Sequence, residues 1–440
     1  MDDKIKIHWV NHASFIVSYK NIRLMSDPWL FGPVFNNGWD LLVKTPFSMD
    51  DFGKVTHIWF SHEHPDHFCP PVIKKIPEQY RKNITVLFQT TKDHKVIEYC
   101  RNLGFKTREL PDHKWFNLTD DFKVMCGRVP FIDSWLFMEA GGQKVLNVND
   151  CVVDSHWIVK EILQNTGTID VLLTQFSYAN WGGNPEQIMI RKELAREKFA
   201  SMKLQIEALR PKHTVPFASF VYYSNEDNAY HNDAINTVFD ALEFLKTETS
   251  TTPVILYPGD EWAVGQAHDN KEALEKYKKD YDIFRKPLRK NESIPKEKLS
   301  ELAKQYIARL YAHNNRFFIW LLSRPPFNYF QPVHIYLMDL RTTVGFDLKN
   351  GLYDVDVPPD NAHAAMASDS LAYIFQHDWG LNTLNVNGRF RASQKNYRKL
   401  KKTLFLGILN NTGRTLRLKQ LLDLHFFRWV ILKKIIMEEL

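Results

Sequence analysis

Residues 61–68 read Ser61-His62-Glu63-His64-Pro65-Asp66-His67-Phe68. Three histidines and an aspartate fall within six residues, a density that packing does not explain. They follow residues 56–61 (THIWFS), a short apolar run ending in polar residues, which reads as a buried strand. The motif therefore belongs to the loop at the C-terminal end of that strand. Alternate residues His62 and His64 can point one way and grip one metal ion. Asp66 and His67 come after the turn at Pro65 and can grip a second. Imidazole and carboxylate donors suit zinc, iron or manganese. The bland alternative is a solvated, histidine-rich turn, and the HxHxDH spacing argues strongly against it.

Working outward, the first 150 residues read mainly as short strands. Segments 5–10, 14–19 and 22–26 have strand composition, with Lys20-Asn21 as a hairpin turn. Further strands are expected at 85–89, 107–110, 122–129, 134–139 and 145–148, with Gly141-Gly142 as a turn between the last two. Segment 171–175 is another buried strand, and 213–221 and 253–257 complete the set. Helices are expected at 94–103 and 185–209, the second stopped by Pro211. Strands interleaved with helices predict an α/β domain over residues 1–267, two sheets covered by helices in an αββα sandwich. Segment 268–296 is strongly charged and reads as a helix and linker between domains. Residues 297–440 read as a smaller α+β C-terminal domain. Its expected elements are a long helix over 296–323, strands at 333–340, 343–348 and 352–357, a helix at 369–377, a strand at 384–390, and a basic helical tail from 396.

Composition agrees with this division. The chain has 440 residues, more than one ordinary domain. Its hydrophobic (44%) and charged (25%) fractions exclude disorder and a fibre. Four cysteines without a CxxC pair fit neither a disulfide scaffold nor a cysteine-rich zinc ribbon, and point to reduced thiols in the cytoplasm. The net charge is +6, but residues 389–440 alone hold 13 Lys and Arg against 3 Asp and Glu. That tail could meet a nucleic acid, an anionic carrier protein or a membrane surface; a solvated helix packed on the second domain is the plain alternative. With no nucleic-acid motif beside it, an anionic partner is expected and a nucleic acid is not. The N-terminus alternates rather than forming a signal peptide, and no run of 18 apolar residues occurs.

The segments around the motif narrow its relationship. VNHASFIV (10–17), SDPWLFGPVFNNGW (26–39), THIWFSHEHPDHF (56–68), LNVNDC (146–151) and PFASFVYYSNEDNAYHN (216–232) resemble the metallo-β-lactamase superfamily. Within it they are similar to the branch of CMP-N-acetylneuraminate hydroxylases and bacterial diiron hydroxylases. DSLAYIFQHDWGLNTLNVNGRF (369–390) resembles the C-terminal region of those hydroxylases. A Rieske domain, which those sialic-acid enzymes also carry, needs a CxH…CxxH pattern that this sequence lacks. The expectation is thus a related chain without that domain.

The resemblance implies three more ligands at strand ends. Asp133, in GRVPFIDSWLF, stands where a histidine is usual. Asp150, in LNVNDC, fits the bridging aspartate and is the residue assigned to catalysis. The last ligand is usually a histidine late in the domain. His213 lies at the wrong end of its strand, roughly 16 Å from the ligand position at about 3.3 Å per residue. His231 is therefore favoured, with Asp227 or Glu226 behind it. One metal would have His62, His64, Asp133 and Asp150, and the other Asp66, His67, Asp150 and His231. Asp27, His12 and Asn180 are expected beside these ligands or in the pocket.

Two function classes follow. One is a non-haem diiron oxygenase that hydroxylates a small organic substrate, using two iron ions, O2 and an external reductase or electron donor. The other is a dizinc hydrolase of a phosphodiester, lactone or amide. Exchanging an imidazole for the carboxylate of Asp133 favours iron. A homodimer is a further expectation.

Overall fold

The computed structural model describes residues 4–129 and 132–417. It divides into two units. The first holds residues up to Leu288, apart from two short segments, 183–186 and 225–228, which group with the second unit. The second runs from Arg289.

The first unit is built on two seven-stranded sheets. One runs, edge to edge, through Glu261–Ala263, Lys6–Asn11, Ser14–Tyr19, Ile22–Ser26, His57–Phe60, Thr85–Gln89 and Lys106–Leu110. The other runs through Thr252–Pro253, His213–Phe217, Val171–Gln175, Gln143–Asn149, Ser134–Ala140, Phe122–Arg128 and Lys114–Thr119. Helices such as Lys95–Asn102, His156–Thr166 and Ile188–Leu209 complete the αββα sandwich. The core between and around the sheets is apolar and aromatic, with Trp9, Phe15, Trp59, Trp135, Phe137, Leu172 and Phe217 all buried.

Strand direction explains where a site can form. Ile22–Ser26 and His57–Phe60 are parallel neighbours, as are Gln143–Asn149, Val171–Gln175 and His213–Phe217. Their C-terminal ends leave together, where loops carry ligands in open α/β sheets. The antiparallel hairpin of Ser134–Ala140 and Gln143–Asn149 pairs Leu136 with Asn147. Continued three residues further, this register brings Asp133 opposite Asp150.

Trp135 helps set that register. It lies opposite Gly127, and its ring occupies the space where a Cβ would sit, 1.9 Å from the nearest ring atom. Only a residue without a side chain permits this approach.

The second unit is α+β. Its four-stranded sheet has the order Gly351–Asp354, Thr342–Asp347, Val333–Leu337, Ala364–Met366. Two expectations are corrected in the C-terminal half. Segment 384–390 is not a strand. Gly380–Asn387 is a helix that buries Gly380, Leu381, Thr383, Leu384 and Asn387, a helical spacing, and Gly388 at φ 64° ends it. The long helix over 296–323 is instead two, Lys296–His313 and Arg316–Leu322. Asn314 and Asn315 break it, because the Asn314 amide bonds the Leu310 carbonyl and the Asn315 side chain caps the Phe317 N–H. The charged stretch 268–296 holds the expected helix. Lys271–Asp280 is a helix whose Ala273 and Tyr277 join the core of the first unit. Tail residues 418–440 lie outside the described residues. Among the described residues no helix is long and apolar enough to cross a membrane.

Gly127→Ala is expected to lower unfolding stability by about 1–3 kcal/mol, because the new methyl group must displace the buried Trp135 ring. Chemical denaturation of the two proteins measures it, and an unchanged midpoint would refute the packing argument.

Candidate metal centre

Two groups of donors meet at the C-terminal strand ends of the first unit. His62, His64 and Asp150 form one, and His12, Asp66 and His67 the other. Within each group one donor atom per residue lies within 4.8 Å of the others. Asp150 faces both, with its Oδ2 3.8 Å from His62 Nε2 and 3.5 Å from His67 Nε2. His67 Nε2 is also 3.3 Å from Asp66 Oδ2. Asp133 flanks the first group, its Oδ1 3.5 Å from His62 Nδ1.

The donors are positioned by local structure. Asp27 follows strand Ile22–Ser26, and its N–H donates to the Trp59 carbonyl at 3.0 Å. Its Oδ1 accepts the Ser61 N–H at 2.8 Å, while Oδ2 accepts from the Asn149 side chain at 3.1 Å and lies 3.1 Å from His67 Nδ1. This orients His67 with Nε2 toward Asp66 and Asp150. The Ser61 carbonyl in turn accepts from Ser134 Oγ and Gln89 Nε2 at 2.7 and 3.2 Å. His12 sits at the tip of the first hairpin, and its carbonyl accepts the Ala218 N–H at 3.2 Å. The His12 ring packs edge-on against buried Trp29, at 5.5 Å between centroids.

Four residues around the centre have left-handed backbones without being glycine: His12 (φ 28°), Asp27 (φ 40°), Asn149 (φ 57°) and Ala218 (φ 48°). Phe35, Asn36 and Asn37 add three more in the loop whose Phe35 ring lies 5.7 Å from that of His64. Such conformations cost about 1–3 kcal/mol each and gather at functional sites.

The electrostatics suit cations. Burial pushes the His12, His62 and His64 imidazoles below their ordinary range, so each favours the neutral, metal-binding form. Burial also opposes charge on His67, but Asp66, Asp150 and Asp27 together hold it well above the histidine range. For Asp150, burial is outweighed by His62 and His67, which hold the carboxyl below its usual range. Burial, then repulsion from Asp150, pushes Asp133 up to about 7. Buried atoms without a hydrogen bond converge here: both ring nitrogens of His12, Asp66 Oδ1, His67 Nε2, Asp133 Oδ1 and Asp150 Oδ1. Unmade bonds at so many buried polar atoms are costly unless cations take them. The residues fit a dinuclear centre able to hold two metal ions.

Most of the sequence-derived ligands are thus brought together: His62, His64, Asp66, His67, Asp150 and, beside them, Asp133. His231 is not. Its Nε2 accepts the Gly182 N–H at 3.1 Å, its ring stacks on Tyr223, and its carbonyl accepts from the Tyr178 hydroxyl. His12 stands in the second group instead, with Nε2 3.5 Å from Asp66 Oδ2. Asp227 belongs to the second unit, where its Oδ2 lies 3.6 Å from the Arg389 guanidinium. Asn180 is outside both donor groups and accepts at its carbonyl from the Tyr223 hydroxyl at 3.2 Å. Glu63 points away to Lys95, at 2.6 Å. Reading residue by residue missed Lys198, whose ammonium donates to Gln175 Oε1 at 2.7 Å and interacts electrostatically with Asp150 and Asp133.

His12→Ala is expected to remove one metal per chain, while His231→Ala keeps both; metal analysis after gel filtration separates the two, and the reverse pattern would restore His231 as the ligand. Asp27→Asn should weaken metal binding about 10- to 100-fold, since it loosens His67 without removing a donor. Competition with a chelator reads that change.

Comparison with known proteins agrees with this fold. Residues 6–174 match the model of the beta-lactamase superfamily domain. The chain is 25% identical over 267 residues to cytidine monophosphate-N-acetylneuraminic acid hydroxylase of Xenopus laevis, covering 58% of this chain and 44% of that protein. It is 26% identical over 250 residues to the Danio rerio protein of the same name, covering 52% and 40%. The matched region thus spans less than half the length of these relatives. Among solved structures, CmlA, a diiron beta-hydroxylase from Streptomyces venezuelae, is 13% identical, with a TM-score of 0.40 over 60% of this chain and 54% of that one. An isothiocyanate hydrolase from Delia radicum gut bacteria is 17% identical, with a TM-score of 0.42 over 59% and 100%. The first unit has the metallo-β-lactamase fold, and the protein is a distant relative of the CMP-N-acetylneuraminic acid hydroxylases.

Proposed function

We propose that this protein is a diiron oxygenase that hydroxylates a small organic substrate, using O2 and electrons from an external donor. The observation that carries this reading is the third carboxylate. Asp66 and Asp150 belong to the two donor groups, and Asp133 flanks them, 3.5 Å from His62 Nδ1 and interacting with Asp150, as a third carboxylate beside the histidines. More oxygen donors and more negative charge favour iron, above all in its higher oxidation states. The similarity to the sialic-acid hydroxylases supports the same reaction class. A sugar nucleotide or a biosynthetic intermediate would suit the site as substrate.

Two iron ions, when bound, would supply the activation of O2 that no side chain provides. His62 and His64 with Asp133 would hold one, and His12, Asp66 and His67 the other, with Asp150 reaching both. Asp27 keeps the His67 ring fixed. Trp29 and Phe35, both buried, wall the histidines with aromatic surface and exclude water from them. Lys198 offers a cation beside the carboxylates for an anionic group of the substrate. Burial holds it below the usual lysine range, and Asp150 opposes that shift.

Protein purified from iron-supplemented cells is expected to carry iron and to consume O2 when given a reductant. His62→Ala and Asp150→Ala should each abolish the uptake. Zinc as the metal of active protein, with cleavage of a phosphodiester, lactone or amide and no O2 uptake, would overturn this reading in favour of a hydrolase.

A further inference from the structure

The second unit exposes aromatic surface that its own fold does not use. Helix Arg316–Leu322 reads RFFIWLL, yet only Ile319 is buried. Phe317 is 60% exposed, Trp320 52% and, in the loop that follows, Phe327 55%. Phe317 and Trp320 stack at 5.9 Å. Exposed aromatic patches of this kind mark interaction sites.

The charge around the patch has one sign. From Leu302 to Met338 the sequence has no Asp or Glu. The Arg324 guanidinium lies over the Trp320 ring at 5.2 Å, and exposed Arg316 begins the helix. Tyr329, whose N–H donates to the Leu322 carbonyl, links the patch to a second acid-free element. The Lys402 ammonium lies 5.9 Å over its ring, and Phe405 packs on it at 5.7 Å. Lys402 belongs to helix Gln394–Thr403, which reads QKNYRKLKKT. Among the described residues Arg316, Arg324 and Lys402 make no ion pair with a carboxylate.

We propose that this face binds an anionic phospholipid surface. Phe317, Trp320 and Phe327 would enter the headgroup region, with Arg316, Arg324 and Lys402 on lipid phosphates. Aromatic residues flanked by arginine and lysine have the chemistry of an interfacial anchor. The sign of the charge selects an anionic lipid as the occupant. A second copy set face to face would bring these cations against themselves, and the chain's own residues 418–440, with Lys419, Arg428, Lys433 and Lys434 against Asp423, Glu438 and Glu439, offer them no net negative charge. The proposal is independent of the chemistry at the metal centre.

Flotation of the full-length, metal-loaded protein with phosphatidylcholine vesicles, with and without phosphatidylglycerol, tests it. Binding is expected only with the anionic lipid, and should weaken as salt rises. Phe317→Ser, Trp320→Ser and Phe327→Ser combined should lower partitioning about tenfold or more with metal content unchanged. Arg316→Glu with Arg324→Glu should lower it at least about fivefold per residue changed. No binding to anionic vesicles, or full binding by the triple serine variant, would overturn the proposal. So would a concentration-dependent dimer abolished by that variant, or a photo-crosslinker at position 320 that captures residues 418–440 of the same chain without lipid.

Discussion

The buried carboxylate of Asp27 holds the centre together. It is fully removed from solvent and accepts from the Ser61 backbone and the Asn149 side chain, with His67 Nδ1 alongside. These partners come from the loop after one sheet and the strand end of the other. A buried carboxylate is tolerated only when its oxygens are satisfied, and removing one partner leaves an uncompensated charge. The two sheets, the HxHxDH loop and the ring orientation of His67 are therefore fixed by the same few hydrogen bonds. Asn147 adds a second link between the sheets, donating to Ser26 Oγ at 3.3 Å.

Strain is concentrated where this network acts. Asp27 and Asn149, which bond each other, both have positive φ, and so do His12 and Ala218, joined by a backbone hydrogen bond. Asp27 and Asn149 take these conformations just past or at the end of strands, at the edge of the centre. Asn149 precedes Asp150, and the bend after the strand presents that carboxylate to both donor groups. Sheet pairing and the apolar core hold these conformations, which an isolated loop would not keep.

What could be read from sequence follows from how local each determinant is. His62, His64, Asp66 and His67 share one loop, so their chemistry is visible in eight residues. Asp133 and Asp150 were legible only through the family resemblance; the structure shows why they meet, since the Gly141–Gly142 turn lies midway between them and the hairpin register carries residues equidistant from its turn to opposite positions. The last donor depends on tertiary structure alone. His231 follows the right strand in the chain, but a short helical turn, Ala229–Asp233, holds its ring against Tyr223. His12 is fifty positions before His62 and reaches it because its hairpin lies in the same sheet, one strand away from His57–Phe60. No spacing rule signals that; the hint was a histidine next to two small residues between buried strands. The C-terminal misreading at 384–390 has a different cause, since LNTLNVNGRF alternates like a strand and only its one-sided burial selects a helix.

The charge balance of the centre ties folding to metal. Asp66, Asp133 and Asp150 crowd together, and Lys198 and the protons on the centre's own groups supply the positive charge the protein itself brings to them. Asp133 responds by rising to about 7, pushed first by burial and then by Asp150, and His67 by holding its proton well above the histidine range. Metal ions take the place of those protons, and their charge removes the repulsion that puts them there. A ring nitrogen of His12, which makes no hydrogen bond although Asp66 Oδ2 lies 3.5 Å from Nε2, would then gain a partner. Each bound ion would add its binding energy to the stability of the sandwich.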